Sequence, residues 1–168
     1  TPFEWDGTSN IIIEITCETA MAAPTNSVSS GDTGFASALV SSSSDSYLEV
    51  GQFDEIKVPA EAFQTIDEQV TVSFWMYGDE DILPANTYAF EGKDASNNRI
   101  LNAHLPWSNG RVYWDAGFDG GYDRIDKQAN ESNYEGQWNH WTFTKNTATE
   151  QMKMYLNGSL WHTGSDKD

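Results

Sequence analysis

The sequence is dominated by short segments in which apolar and polar side chains alternate, and this pattern restricts the chain to antiparallel β structure. Val70 to Tyr77 is the clearest case, because Val, Val, Phe and Met alternate there with Thr, Ser, Trp and Tyr. Helical periodicity is almost absent, and residues 59–65 predict one or two helical turns at most. Four further segments predict strands: Ile100 to Leu105, Arg111 to Ala116, His140 to Lys145 and Met152 to Leu156. We therefore predict an all-β fold, an antiparallel β-sandwich.

Turn residues separate these strands and suggest a domain boundary near the start of the chain. Asn109-Gly110 and Asn157-Gly158 predict tight hairpin turns. Residues 25–46 are rich in Ser and Thr, although the apolar content of residues 34–40 also fits an edge strand. We predict two parts. Residues 1–22 form either a first strand or the tail of a preceding module, and residues 23–168 form the main domain.

The charge of the chain excludes some classes of partner. The formal net charge is −17, which predicts no general affinity for nucleic acid or anionic lipid. No apolar run approaches the roughly 20 residues that a membrane-spanning helix needs, so we predict no membrane insertion. The acidic surface, rich in Ser, Thr and Asn, favours an extracellular location.

Four sequence blocks carry a family resemblance. They are, in order, Tyr47 to Val50, Val70 to Trp75, Trp138 to Thr144 and Met154 to Gly158. These blocks resemble the laminin-G-like branch of the concanavalin A-like lectin/glucanase superfamily over about residues 31–165. The resemblance implies a jelly-roll sandwich. Members of the family have further strands after the last block, so it also implies that the C-terminal strands are missing here, or that residues 1–20 take their place.

Two other segments resemble bacterial proteins. His104 to Asp126 looks like the version of this domain found in large secreted and surface proteins of bacteria. Phe3 to Ile15 is similar to a segment in adhesins of gliding Bacteroidetes that are exported by type IX secretion. The resemblance therefore implies a cell-surface or extracellular domain that is covalently part of a larger, multi-domain chain.

We predict no catalytic residues. Retaining glycosidases need two carboxylates about 5 to 5.5 Å apart, and relatives on this fold supply them at Glu-x-Asp-x-x-Glu spacing, which does not occur here. Residues 79–81 are acidic but predict a solvated turn. His104, His140 and His162 each lie near a tryptophan in the sequence and predict packing or hydrogen bonding.

Calcium is a candidate ligand of the segment from Asp115 to Asp123. Ca²⁺ takes oxygen ligands, and glycines let a loop turn tightly enough to present them. We therefore predict a Gly-rich loop with a metal site at Asp115, Asp119 and Asp123, against the alternative of a polar loop at the rim of the sandwich.

Carbohydrate recognition would use aromatic faces together with planar hydrogen-bonding side chains. Alternation along the strand places Val112, Trp114 and Ala116 towards the core and Tyr113 and Asp115 outwards. We expect Trp75, Trp138 and Trp141 in the core. The predicted carbohydrate-binding residues are His104, Trp107, Tyr113, Asp115 and Tyr122.

Together these features predict a non-catalytic binding module. Its expected partner is a glycan or glycoprotein, bound for adhesion with calcium as a possible cofactor. Two alternatives stay open: a structural spacer in a large adhesin, and an ancillary module of a polysaccharide-degrading enzyme.

Overall fold

A computed structural model describes residues 12–15, 56–63, 66–118 and 121–167. The chain divides into two compact units: residues 1–14 with 67–168, and residues 15–66. In the second unit, Ala60–Phe63 form a single 3-10 turn, as the weak helical signal of residues 59–65 predicted. The block Tyr47 to Val50, which the sequence also predicts as a short strand, and the segment 25–46 lie outside the described residues.

Nine β-strands are described. They are β1 (Ile12–Ile15), β2 (Gln69–Tyr77), β3 (Phe90–Lys93), β4 (Arg99–His104), β5 (Arg111–Phe118), β6 (Gly121–Gln128), β7 (Trp138–Asn146), β8 (Gln151–Leu156) and β9 (Ser159–Gly164). A five-stranded sheet has the order β1-β2-β7-β8-β9, and a four-stranded sheet has the order β3-β4-β5-β6. Neighbours from β2 onwards pair antiparallel. The predicted all-β sandwich is confirmed.

The core lies between the two sheets and is built by strict alternation. In β5, Val112, Trp114 and Ala116 are buried, as predicted. The Trp114 ring lies 5.7 Å from the ring of Phe143 on β7, and its Nε1 donates a hydrogen bond to the Thr144 carbonyl at 3.0 Å. Trp141 is also fully buried. Aromatic contacts of this kind join the two sheets.

The five strands predicted from residue 70 onwards are present, and so is a strand predicted at residues 11–15, which is β1, but β3, β6 and β9 were missed. The reason is clearest in β6, where Asp123 and Lys127 point inwards. Asp123 accepts a hydrogen bond from the buried Nζ of Lys145 at 2.9 Å, and the Nζ of Lys127 donates to the Trp161 carbonyl at 2.8 Å. Polar residues on the inner face hide the alternation that marks a strand.

One predicted turn is confirmed and the other is corrected. Asn157 and Gly158 have φ values of 51° and 78° and connect β8 to β9 directly, as a tight hairpin requires. Gly110 has a φ of 74°, and its amide donates to the Trp107 carbonyl at 2.7 Å. That turn lies at the end of a longer connection between β4 and β5, so Asn109-Gly110 alone does not join the two strands.

Candidate functional site

The outer face of the four-stranded sheet carries a row of polar side chains that crosses all four strands. Glu91 on β3 is paired with Asn102 on β4, which is paired with Asp115 on β5, which is paired with Arg124 on β6. Residues paired across neighbouring strands have their side chains on the same face. The four side chains therefore form one line, called the polar row below.

Asp115 and Arg124 form the strongest contact of the polar row. Nε and Nη2 of Arg124 donate to the two carboxylate oxygens of Asp115 at 2.6 and 2.7 Å. This hydrogen bonding raises the pKa of the Arg124 guanidinium above its ordinary value. A two-pronged contact fixes the plane of the guanidinium as well as its position.

Two tyrosines hold the same guanidinium from either side. Its central carbon lies 4.9 Å from the centre of the Tyr113 ring and 5.4 Å from that of Tyr122. Both distances are within the range of cation–π attraction. Arg124 is thus the centre of an ordered group that includes three of the five residues predicted for carbohydrate binding: Tyr113, Asp115 and Tyr122.

The other two predicted residues lie beside Tyr113. The ring of His104 is 4.5 Å from that of Trp107 and 5.9 Å from that of Tyr113, both edge-on. The Nδ1 of His104 donates to the Thr87 carbonyl at 2.7 Å, because a carbonyl oxygen can only accept. The structure therefore brings all five predicted residues to one face of one sheet.

The exposure of Asp115 differs from the prediction. The residue points outwards, as alternation required, but none of its surface reaches solvent. Besides Arg124, the Nη1 of Arg99 lies 3.6 Å from its carboxylate. A buried carboxylate needs such partners because desolvation of an unpaired charge is costly. Asp115 positions two arginines and does not itself offer an open contact to a ligand.

Arginine is concentrated on this face. The chain has three arginines, Arg99, Arg111 and Arg124, and all three pair with carboxylates of the outer face. Arg111 contacts Asp126, and Arg99 contacts Glu91 as well as Asp115. In a chain of net charge −17, this sheet face is close to electrically balanced. The sequence did not suggest this, because the three residues are far apart along the chain.

Asn102 is one of the residues of this site that the sequence did not indicate. It is fully buried, and neither its Oδ1 nor its Nδ2 has a hydrogen-bond partner in the structure described. Its strand was predicted, but an asparagine within a strand gives no signal of its own. The pairing of β4 with both β3 and β5 was needed to place it between two carboxylates.

The predicted metal ligands are separated. Asp115 faces outwards against Arg124, whereas Asp123 faces the core against Lys145, and Asp119 lies outside the described residues. The expected Gly-rich loop is corrected too, because β5 extends to Phe118 and β6 starts at Gly121. Among the described residues, no group of three or more His, Cys, Asp or Glu side chains is placed to hold a metal ion.

Two of the tryptophans expected in the core lie elsewhere. Trp75 and Trp138 are each 45% exposed on the outer face of the five-stranded sheet, while Trp141 is buried as expected. Trp75 packs on His140, whose Nε2 is 2.8 Å from the Ser73 hydroxyl. Alternation within β2 already placed Trp75 opposite Val70 and Phe74. For Trp75, alternation along the strand was therefore a better predictor of orientation than the general preference of tryptophan for the core.

Comparison with known proteins identifies the family. A laminin G family model, described as the concanavalin A-like lectin/glucanases superfamily, matches residues 50–168. No curated protein matches the chain. Within the part of the chain that the structure describes, no helix has the length and apolar character needed to cross a membrane.

Proposed function

The chain belongs to the concanavalin A-like lectin/glucanases superfamily, and on that basis we propose that it is a non-catalytic module that binds carbohydrate, free or on a glycoprotein. Membership fits a binding module at the level of the superfamily. The observation that carries the finer proposal is an aromatic group in which Tyr113 and Tyr122 contact Arg124, His104 contacts Tyr113, and Trp107 contacts His104.

The chemistry of this face suits a sugar. Trp107 and Tyr122 remain partly exposed and offer aromatic surface to the C–H groups of a pyranose ring. The guanidinium of Arg124 uses two of its nitrogens for Asp115, and its remaining N–H groups are donors for hydroxyl oxygens. The side chain of Arg124 is 38% exposed, so these donors are within reach of a ligand.

We propose no hydrolytic activity. Glu91 and Asp115 are the carboxylates of the polar row, and each has a guanidinium partner. Asp115 has no surface that reaches solvent, whereas a retaining glycosidase needs two carboxyl groups that both reach the sugar. This arrangement supports a binding role.

The wider setting is also part of the proposal. We infer a secreted or surface-displayed bacterial protein, in which repeated modules of low affinity gain avidity through effective concentration. Calcium dependence stays a prediction that was made from the sequence alone. It is tested by thermal unfolding with added Ca²⁺ and then with a chelator. A ligand that binds the native state alone raises the unfolding temperature.

A glycan array tests the proposed function. We expect the chain to bind a subset of the glycans, and we expect Trp107→Ala and Tyr113→Ala to lose that binding. Trp75→Ala is the matched control, because it removes an exposed aromatic side chain from the other sheet. Binding that survives both site variants would move the site elsewhere. No binding to any glycan would favour the structural spacer.

A further inference from the structure

We propose that Asn102 reads the hydroxyl groups of the ligand, and that the ligand at this position is an uncharged sugar with two neighbouring hydroxyls. This inference rests on the proposed function. It concerns a residue that lies in the middle of the polar row, on the same face as Tyr113 and Arg124.

The unpartnered amide of Asn102 is the first observation. Both polar atoms of its side chain are buried, and neither has a hydrogen-bond partner in the described structure. Buried polar groups in native proteins nearly always have a hydrogen-bond partner. An unpaired one lowers the stability of the fold, so its presence calls for a functional explanation. An amide offers one donating and one accepting end. Two neighbouring hydroxyls of a sugar match it, because each hydroxyl can donate or accept.

Arg99 covers Asn102 loosely. Its Nε lies 3.4 Å from the Glu91 carboxylate and its Nη1 lies 3.6 Å from the Asp115 carboxylate. Those two carboxylates flank Asn102 on the neighbouring strands, so the guanidinium spans the strand that carries Asn102. Both contacts are longer than the usual 2.7 to 2.9 Å of charge-assisted hydrogen bonds. The side chain is 31% exposed, so its guanidinium can shift far enough to uncover the amide while its charge stays beside the two carboxylates.

The balance of charge around Asn102 selects the class of ligand. Glu91 and Asp115 are negative, and Arg99, Arg124 and Lys93, which contacts Glu91 at 2.8 Å, are positive, so charges of both signs surround this position. An anionic group placed here would meet two carboxylates, and a cationic group would meet two guanidinium ions. Like charges brought together at short range are unfavourable. An uncharged polyol avoids both penalties and pairs the amide.

Asn139 provides a matched control. Among the described residues it is the other asparagine that is buried to this extent, but both ends of its amide are paired. Its Nδ2 donates to the Ser132 carbonyl at 3.0 Å, and its Oδ1 accepts from the Nδ2 of Asn157 at 3.0 Å. Leucine has a similar shape without the polar atoms. Asn139→Leu removes the acceptor of the Asn157 Nδ2 and one of the two donors to the Ser132 carbonyl, whereas Asn102→Leu removes no hydrogen bond of the described structure.

The test uses nuclear magnetic resonance of the full, isotope-labelled chain with methyl glucopyranoside, methyl mannopyranoside and methyl galactopyranoside as probes. The signals of the Asn102 side-chain amide are those lost in Asn102→Leu. We expect at least one pyranoside to shift them, with affinity at least tenfold weaker for its 2-deoxy or 3-deoxy analogue. We expect methyl glucuronide and glucosamine to bind more weakly than their neutral counterparts.

Replacement of Asn102 by leucine is expected to weaken binding of the sugar without lowering the stability of the protein. We expect Asn102→Leu to bind at least tenfold more weakly while its unfolding temperature stays equal to or above that of the wild type, and Asn139→Leu to unfold at a lower temperature. Three results overturn the proposal. The first is that no pyranoside shifts the signals of the Asn102 amide, which means that the amide pairs with water alone. The others are a lowered unfolding temperature for Asn102→Leu and stronger binding of the charged sugars than of the neutral ones. Array binding that Asn102→Leu retains overturns this inference and leaves the proposed function standing. An array without any bound glycan removes the proposed function itself.

Discussion

At the scale of single residues, the molecule depends on buried charges that have partners. Asp115 has no solvent contact, and its charge is compensated by Arg124 at 2.6 Å and by Arg99 at a longer distance. Lys145 is nearly as buried and contacts the Asp123 carboxylate at 2.9 Å. Pairs of this kind contribute little net stability compared with apolar packing, but removal of one partner is expensive.

The two partners of the Asp115–Arg124 pair are expected to differ in cost. Arg124→Ala leaves a fully buried carboxylate with one distant cation, so we expect a loss of about 3 kcal/mol in the free energy of unfolding. Asp115→Ala leaves an arginine whose side chain is 38% exposed and can turn to water, so its cost should be smaller. Urea unfolding of both variants measures the difference. A larger loss for Asp115→Ala would mean that Arg124 is held by something other than Asp115.

Glu135 gives a prediction that depends on pH. Desolvation, followed by the nearby charges of Glu131 and Glu80, raises the pKa of its carboxyl group above the ordinary value. The native state therefore holds the proton more tightly than the unfolded chain, and stability is lost as pH rises from the ordinary pKa through the raised one. We expect Glu135→Gln to raise the unfolding temperature at pH 7 and to have no effect below about pH 4.

The exposed Glu68 provides the control for Glu135. Glu68→Gln should leave the unfolding temperature at pH 7 nearly unchanged, because surface substitutions away from special contacts have small effects. Calorimetry at several pH values measures both variants. A Glu135→Gln protein that is less stable than the wild type at pH 7 would show that the ionised carboxylate makes a favourable contact.

At the scale of the elements, the sequence predicted strands wherever inward residues are apolar. β2, β5, β7 and β8 bury Val, Trp, Phe and Met on alternate positions, and each was predicted within two residues of its ends. β6 was missed because Asp123 and Lys127 point inwards and gain partners only after the sheets have packed. Alternation reports burial of apolar surface, so it cannot report a strand whose inner face is polar and paired.

The hairpin between β8 and β9 gives a prediction at the same scale. Gly158 has a φ of 78°, in the left-handed region, where a side chain costs about 1 to 2 kcal/mol. We expect Gly158→Ala to lose about 1 kcal/mol of stability, measured by urea unfolding. Gly121→Ala is the control, since an added methyl group there meets nothing within 4 Å and no left-handed conformation is required. Equal effects of the two substitutions would contradict this explanation.

At the scale of the whole molecule, the two outer sheet faces differ in chemistry. The four-stranded sheet carries the polar row with the three arginines, while the five-stranded sheet exposes Trp75, Tyr77 and Trp138. The sequence predicted the sandwich and the five residues that gather on the first face. It did not predict Asn102, Arg99 or Arg124, because their role depends on strand pairing between segments that no local pattern connects.

The central claim is that carbohydrate binds to the outer face of the four-stranded sheet. Backbone amide signals of the labelled chain, followed while the strongest glycan from the array is added, test this claim directly. The account predicts that the largest shifts occur in β4, β5 and β6 around Asn102, Tyr113 and Arg124. Shifts concentrated around Trp75 and Tyr77 on the five-stranded sheet would contradict it.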